Sequence, residues 1–294
     1  MVSMLVLAFL ACLLAAGGDA SNATRETEVK NDGLIVFWNE SPWPAIWAIR
    51  PDGSHLRRIL RNRQNAKRPR LSPDRKWVAF DGTPPGRRPL SDFDIQLIRL
   101  DGSGLTTLTS SPEWDVDAQW SPDGALLSFS RRPPHPIDER ESFIWIIRRD
   151  GGEPRQIVRG FGARWSPDGK KLVYEAPTDR SRADLFVIDV EGGESRPLLS
   201  GPALKQPAAW SPDGRKILFT RFSDSSGRRA GVFVMNADST SVRRLGPGFA
   251  AGWSPDGSKI LYNSSFHSAL FVMNADGSHK RRIGTVAGSE PDWR

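Results

Sequence analysis

The string WSPDG occurs at Trp120, Trp165, Trp210 and Trp253, and a near copy, LSPDR, begins at Leu71. The serines that open these turns stand at 72, 121, 166, 211 and 254, giving spacings of 49, 45, 45 and 43 residues. A catalytic motif has no reason to return once per unit, whereas a building block does. A period of about 40–50 residues is that of a four-stranded propeller blade. Each position in the turn has a physical task. Ser can accept hydrogen bonds from turn amides, Pro fixes φ, Asp tolerates the third place and Gly supplies positive φ at the fourth. The strand before the turn is short and ends in Trp. The strand after it is apolar: ALLSFS, KKLVYE, RKILFT, SKILYN.

A second turn follows in each unit, as RPDGS at Arg50, LDGSG at Leu100, RDGGE at Arg149, VEGGE at Val190, NADST at Asn236 and NADGS at Asn274. It joins an apolar strand to an arginine-containing one, so each unit holds four strands and the last is a charged edge. Five SPD turns face six of these second turns. The odd partner is split between the chain ends: SEPDWR stops where another SPDG would begin, and KNDGLIVFW supplies a further strand. The expected fold is therefore all-β, a six-bladed β-propeller over residues 33–294, closed by pairing of the C-terminal strand with the N-terminal strands.

WSPDG followed by a lysine-rich apolar strand, together with NADG turns, resembles the WD40-like repeats of the TolB propeller family, over about residues 33 to 294. The first copy departs from the pattern. Leu71 replaces Trp and Arg75 replaces Gly, and since arginine at positive φ costs about 1 kcal/mol, that turn is expected to be of another type. In that family the propeller engages envelope partners by its loop-rich face and channel mouth. The resemblance implies the same for this chain. The domain that precedes the propeller in TolB is not expected in this chain, which makes the full TolB role a weaker expectation than the fold.

Residues 1–20 read as a secretory signal: an apolar run from Met4 to Ala16, then small residues, with cleavage expected after Ala20. Retention as an N-terminal anchor is the alternative. Residues 21–32 are polar and form a flexible lead-in. The single cysteine, Cys12, lies in the signal, so the mature chain has no thiol for disulfides, thiolate catalysis or zinc. Formal net charge is +7, which favours acidic partners. Export excludes nucleic acid from that set. The expected location is periplasmic or secreted, with no transmembrane domain after cleavage, and the expected state is a monomer.

The short SPDG and DG turns fall on one face of the ring and the long, varied connections on the other, where recognition usually sits. That second face is rich in arginine, with Arg131, Arg132, Arg180 and Arg182 as candidate partner contacts. The ends of the innermost strands add Arg68, Arg70, Asp117, Arg164 and Asp292 as a funnel of mixed charge, with Gln119 and Glu290 beside them. The competing reading of each is a solvated or structural ion pair. No HExxH, GxSxG or phosphate loop is present, and His55 and His279 occupy the same place in two repeats, which favours a turn role. The DVD at 115–117 and SDFD at 91–94 lack a full calcium ligand run, so neither metal nor cofactor is expected. The function expected is non-enzymatic binding of a protein, or an anionic envelope polymer. The alternatives are a propeller hydrolase or lyase acting on an acidic saccharide, and the detached gate of a prolyl-oligopeptidase-like enzyme.

Overall fold

A computed structural model of the chain describes residues 33–39, 45–60, 65–84, 93–134, 141–179, 182–223, 230–264 and 269–294. The signal and lead-in expected over residues 1–32, Cys12 included, lie outside the described residues, as does Arg180. The described residues form 24 β-strands in six four-stranded antiparallel sheets. Blade 1 holds β1 (Ile35–Asn39), β2 (Ala45–Ile49), β3 (Arg57–Arg58) and, inside β1, the last strand β24 (Ser289–Trp293). Blade 2 holds β4 (Ala66–Leu71), β5 (Trp77–Gly82), β6 (Asp94–Arg99) and β7 (Thr106–Thr107). Blade 3 holds β8 (Trp114–Trp120), β9 (Leu126–Arg132), β10 (Phe143–Arg148) and β11 (Arg155–Arg159). Blade 4 holds β12 (Phe161–Trp165), β13 (Lys171–Asp179), β14 (Arg182–Asp189) and β15 (Arg196–Leu199). Blade 5 holds β16 (Lys205–Trp210), β17 (Lys216–Phe222), β18 (Ala230–Asn236) and β19 (Arg243–Pro247). Blade 6 holds β20 (Phe249–Trp253), β21 (Lys259–Asn263), β22 (Ala269–Asn274) and β23 (Arg281–Ala287).

The innermost strands touch one another in a closed circuit, β4 to β8, β12, β16, β20, β24 and back to β4. In blade 1, β24 runs antiparallel to β1 with Ile35 opposite Trp293 and Val36 opposite Asp292. The core lies between blades, not within them. Val36 and Ile46 of blade 1 pack with Val78 and Phe80 of blade 2, and Ala79 and Leu97 of blade 2 pack with Trp120 and Phe129 of blade 3. Ile35 and Ile49 close the series against Leu261 and Val272 of blade 6. Both faces of each middle strand are therefore buried, which is why ILF and ILY run apolar instead of alternating. Each such side chain contributes about 1.5–3 kcal/mol.

The SPDG turn is built as its residues dictate. In the blade 4 copy, Ser166 donates to Asp168 at 2.5 Å and its oxygen accepts the Lys171 amide at 2.9 Å, while Asp168 accepts the Lys170 amide. Gly169 N meets Ser166 O at 2.9 Å, with φ 70°. The copy in blade 2 keeps the same geometry, against expectation: Arg75 N meets Ser72 O at 2.9 Å and Arg75 adopts φ 56°. The serine and aspartate bonds, also present there, outweigh the cost of a side chain at positive φ. The two turn sets share one face, because the second turn of a blade donates to the first, as Leu100 N to Lys76 O and Val190 N to Lys170 O. His55 and His279 flank equivalent turns at φ 55° and 50°, each ring nitrogen beside the preceding serine hydroxyl.

The repeated tryptophan joins one blade to the next. Trp120 Nε1 donates to Arg70 O at 3.0 Å, Trp165 to Gln119 O at 3.1 Å and Trp210 to Arg164 O at 3.2 Å. Where blade 2 has Leu71 instead, the Asp292 carboxylate of blade 1 accepts the Leu71 amide at 2.8 Å.

Candidate functional site

Each innermost strand carries a bulge against its neighbour, for instance between Lys67 and Arg70, Val116 and Gln119, and Phe161 and Arg164. The bulge centres three residues before the blade tryptophan or its equivalent. Around the ring that position reads Arg68, Asp117, Gly162, Pro207, Ala250 and Glu290. A bulge there takes up positive φ: 68° at Gly162, but also 50° at Arg68, 55° at Asp117 and 47° at Glu290. Three charged residues in adjoining blades 1, 2 and 3 thus hold a conformation that costs on the order of 1 kcal/mol each.

The bulge also frees an amide from the ladder, and the preceding blade supplies an acceptor. Asp117 N meets Asp81 Oδ1 at 2.8 Å, Gly162 N meets Ser130 Oγ at 3.2 Å, and Ala250 N meets Thr220 Oγ1 at 3.0 Å. These acceptors stand at the same place in their second strands, ten residues after the blade tryptophan or its equivalent, where blade 4 has Glu175. The residue facing Glu175 round the ring is Pro207, which has no amide to satisfy.

The charges lock together around the axis. Arg68 meets Asp81 at 2.8 Å and Glu290 at 3.1 Å. Arg164 meets Asp117 at 2.8 Å, and Arg70 reaches the same carboxylate at 3.4 Å. Glu290 also accepts the Trp38 indole N–H at 2.8 Å. Burial pushes the Asp117 carboxyl up, but Arg164, Arg70 and Arg68 outweigh it and hold it at about 2. Asp81, fully buried with one guanidinium beside it, is pushed by burial up to about 7. Asp81 was not among the expected site residues. The signal for it is the lone polar residue inside the run VAFDG, and its partners are Arg68 of its own blade and the Asp117 amide of blade 3.

Of the expected site residues, Arg68, Arg70, Asp117, Arg164 and Asp292 come together at the axis. Arg131 and Arg132 do not. They end β9 at the long-connection side, away from the turns. Arg131 is held by the buried Asp115 at 2.7 and 2.8 Å and lies 4.7 Å from the Trp145 ring centroid. Arg132 spans Trp114 and Phe161, joining blade 3 to blade 4. Arg182 begins β14 opposite Asp179. Below the charged cluster, on the face of the SPDG turns, a cavity of about 350 Å³ opens; Arg70, Gln119, Arg164 and Asp292 are part of its wall. Among the described residues no group of three or more His, Cys, Asp or Glu could hold a metal ion, and no helix is long and apolar enough to cross a membrane.

The fold is a six-bladed β-propeller, similar to those of TolB proteins. The resemblance read from the repeats is borne out: residues 138–264 match the family model described as TolB beta propeller domain. The chain is 26% identical over 177 residues to a TolB homolog of Chlorobium luteolum, a match covering 59% of this chain and 38% of that protein. It is 30% identical over 122 residues to the Tol-Pal system protein TolB of Anaeromyxobacter dehalogenans, covering 40% of this chain and 26% of that one. The crystal structure of TolB from Acinetobacter baumannii superposes with a TM-score of 0.74 at 21% identity, covering 89% of this chain and 66% of that one. The chain thus matches well under half the length of these curated relatives.

Proposed function

We propose that this propeller is an exported, monomeric, non-enzymatic binding module. It engages a protein through the long-connection face and the channel mouth there, with an anionic envelope polymer as the other partner class. The observation that carries this reading is the strained half-ring of Arg68, Asp117 and Glu290. A fold tolerates charged side chains at positive φ only where surrounding contacts over-determine them, and such strain clusters at functional sites. Arg68 and Glu290 keep 26% and 32% of their side-chain surface exposed, so they remain open to a partner while their geometry is fixed. Similarity to TolB proteins and the signal-like run at residues 4–16 support export to the envelope.

The test is cross-linking of the purified full chain to an envelope extract of its own cell, with fractionation to locate it. Glu290→Gln and Arg68→Gln are expected to lower recovery of the partner about tenfold, as loss of a charged hydrogen bond does. Both variants are first checked for native circular dichroism. Equal recovery with either folded variant overturns the assignment of this mouth. No observation among the described residues favours the saccharide lyase or hydrolase.

A further inference from the structure

The ring has another opening, on the side of the turns. Read round the blades, the residue just before the tryptophan is Asp292, Arg70, Gln119, Arg164, Ala209 and Gly252. Arginines stand in blades 2 and 4, and the smallest residues stand together in blades 5 and 6. The result is the 350 Å³ funnel, with Arg70 and Arg164 in one wall and Ala209, Trp210 and Gly252 in the other. That volume lies in the range of small-ligand pockets, about 300–1,000 Å³.

The charges in this funnel do not balance locally. Arg70 and Arg164, each with 10% of its side chain exposed, share the single carboxylate of Asp117. Backbone carbonyls take further donors: Pro69 O and Glu290 O from Arg70, Ala163 O and Ala208 O from Arg164. Among the described residues Arg70 Nε has no acceptor. Asp292 is occupied by the Leu71 amide and lies 3.8 Å from Arg294 Nε. Two buried cations on one carboxylate leave the funnel one anion short, and a bound carboxylate supplies it. The facing wall of alanine, glycine and indole offers apolar surface instead of a second charge.

We propose that this turn-face funnel binds a carboxylate joined to an apolar group. The carboxylate meets Arg70 and Arg164, and the apolar part lies against Ala209 and Trp210. A free carboxylic acid and the acidic C-terminus of a peptide share this chemistry. The proposal does not rest on the partner site of the opposite face, though the two share Asp117.

Calorimetric titration of the full chain tests it, using phenylacetate against phenylacetamide, and a tripeptide ending in phenylalanine with its terminus free or amidated. The acid of at least one pair is expected to bind about tenfold or more tighter than its amide, the value of a charge-assisted hydrogen bond. Which acid binds identifies the source of the carboxylate. Arg164→Gln also disturbs Asp117, so the cleaner variant is Gly252→Leu. A Cβ at Gly252 meets nothing within 4 Å and its φ is not positive, so a leucine there fills the funnel without strain. It is expected to abolish binding with an unchanged thermal midpoint. The proposal is overturned if amides bind as well as acids, if Gly252→Leu binds like the parent chain, if inorganic phosphate binds as tightly as the acids, or if neither acid gives a saturable heat.

Discussion

At the scale of single residues, the axial cluster stabilises the fold through charge. Asp117 ionises in the folded chain at about 2, below its ordinary 3.8. The folded state therefore releases this proton more readily than the unfolded chain. Its contribution is complete above about pH 4 and is lost as pH falls towards 2. The difference is worth about 2 kcal/mol at neutral pH. Asn at this position keeps the backbone, since it tolerates positive φ, but carries no charge. Chemical denaturation at pH 6 and pH 2.5 should show the parent chain losing about 1.5 kcal/mol more than Asp117→Asn does, most of that contribution. An equal loss in both would mean that Arg70 and Arg164 do not depend on this carboxylate. The arginines at the end of β9 show the limit of residue-level reading: Arg131 looks like surface charge in RRPP, yet Asp115 beneath it is buried and takes two of its donors.

At the scale of elements, the repeat made most of the fold legible. The SPDG turn, the apolar second strand and the charged edge each follow from local chemistry, and counting turns gave the number of blades. What stayed hidden was whatever one blade does for its neighbour. Asp81 caps an amide 36 residues away, and no local pattern reports the bulge that frees that amide. Most of the axial site was legible because its arginines and acids stand near the ends of the innermost strands; its strain was not, because Arg and Glu give no signal for positive φ. The tryptophan of the motif was legible as a repeat but not as a joint. Its role makes a contrast available. Trp165→Phe removes the indole donor to Gln119 O, so it is expected to cost about 0.5–1.5 kcal/mol. Trp253 stands at the same place, yet its indole nitrogen has no partner among the described residues. Trp253→Phe should cost clearly less, as read by thermal unfolding. Equal costs would assign the motif tryptophan to packing alone.

At the scale of the whole molecule, stability depends on the ring being shut. Six interblade cores share the apolar area, and each blade has a neighbour on both sides. The join at blade 1 is non-covalent, made by β24 against β1 and by the Leu34–Arg294 amide pair at 2.6 and 3.0 Å. Ile35, Val36, Phe37 and Trp38 of β1 are all buried there. Without β24 they would present an apolar strand edge, a template for aggregation. Trp293 packs in the core between blades 1 and 6, beside Leu261 and Ile283. Trp293→Ala is therefore expected to lower global stability by about 3–5 kcal/mol, the cost of truncating a buried tryptophan. Because the ring opens as one body, fluorescence and circular dichroism should report the loss in a single coincident transition. Deletion of residues 289–294 should go further and yield a chain that aggregates on expression. A Trp293→Ala protein whose two probes separate, or whose midpoint scarcely moves, would mean that blade 1 frays on its own and that the other five blades hold without it.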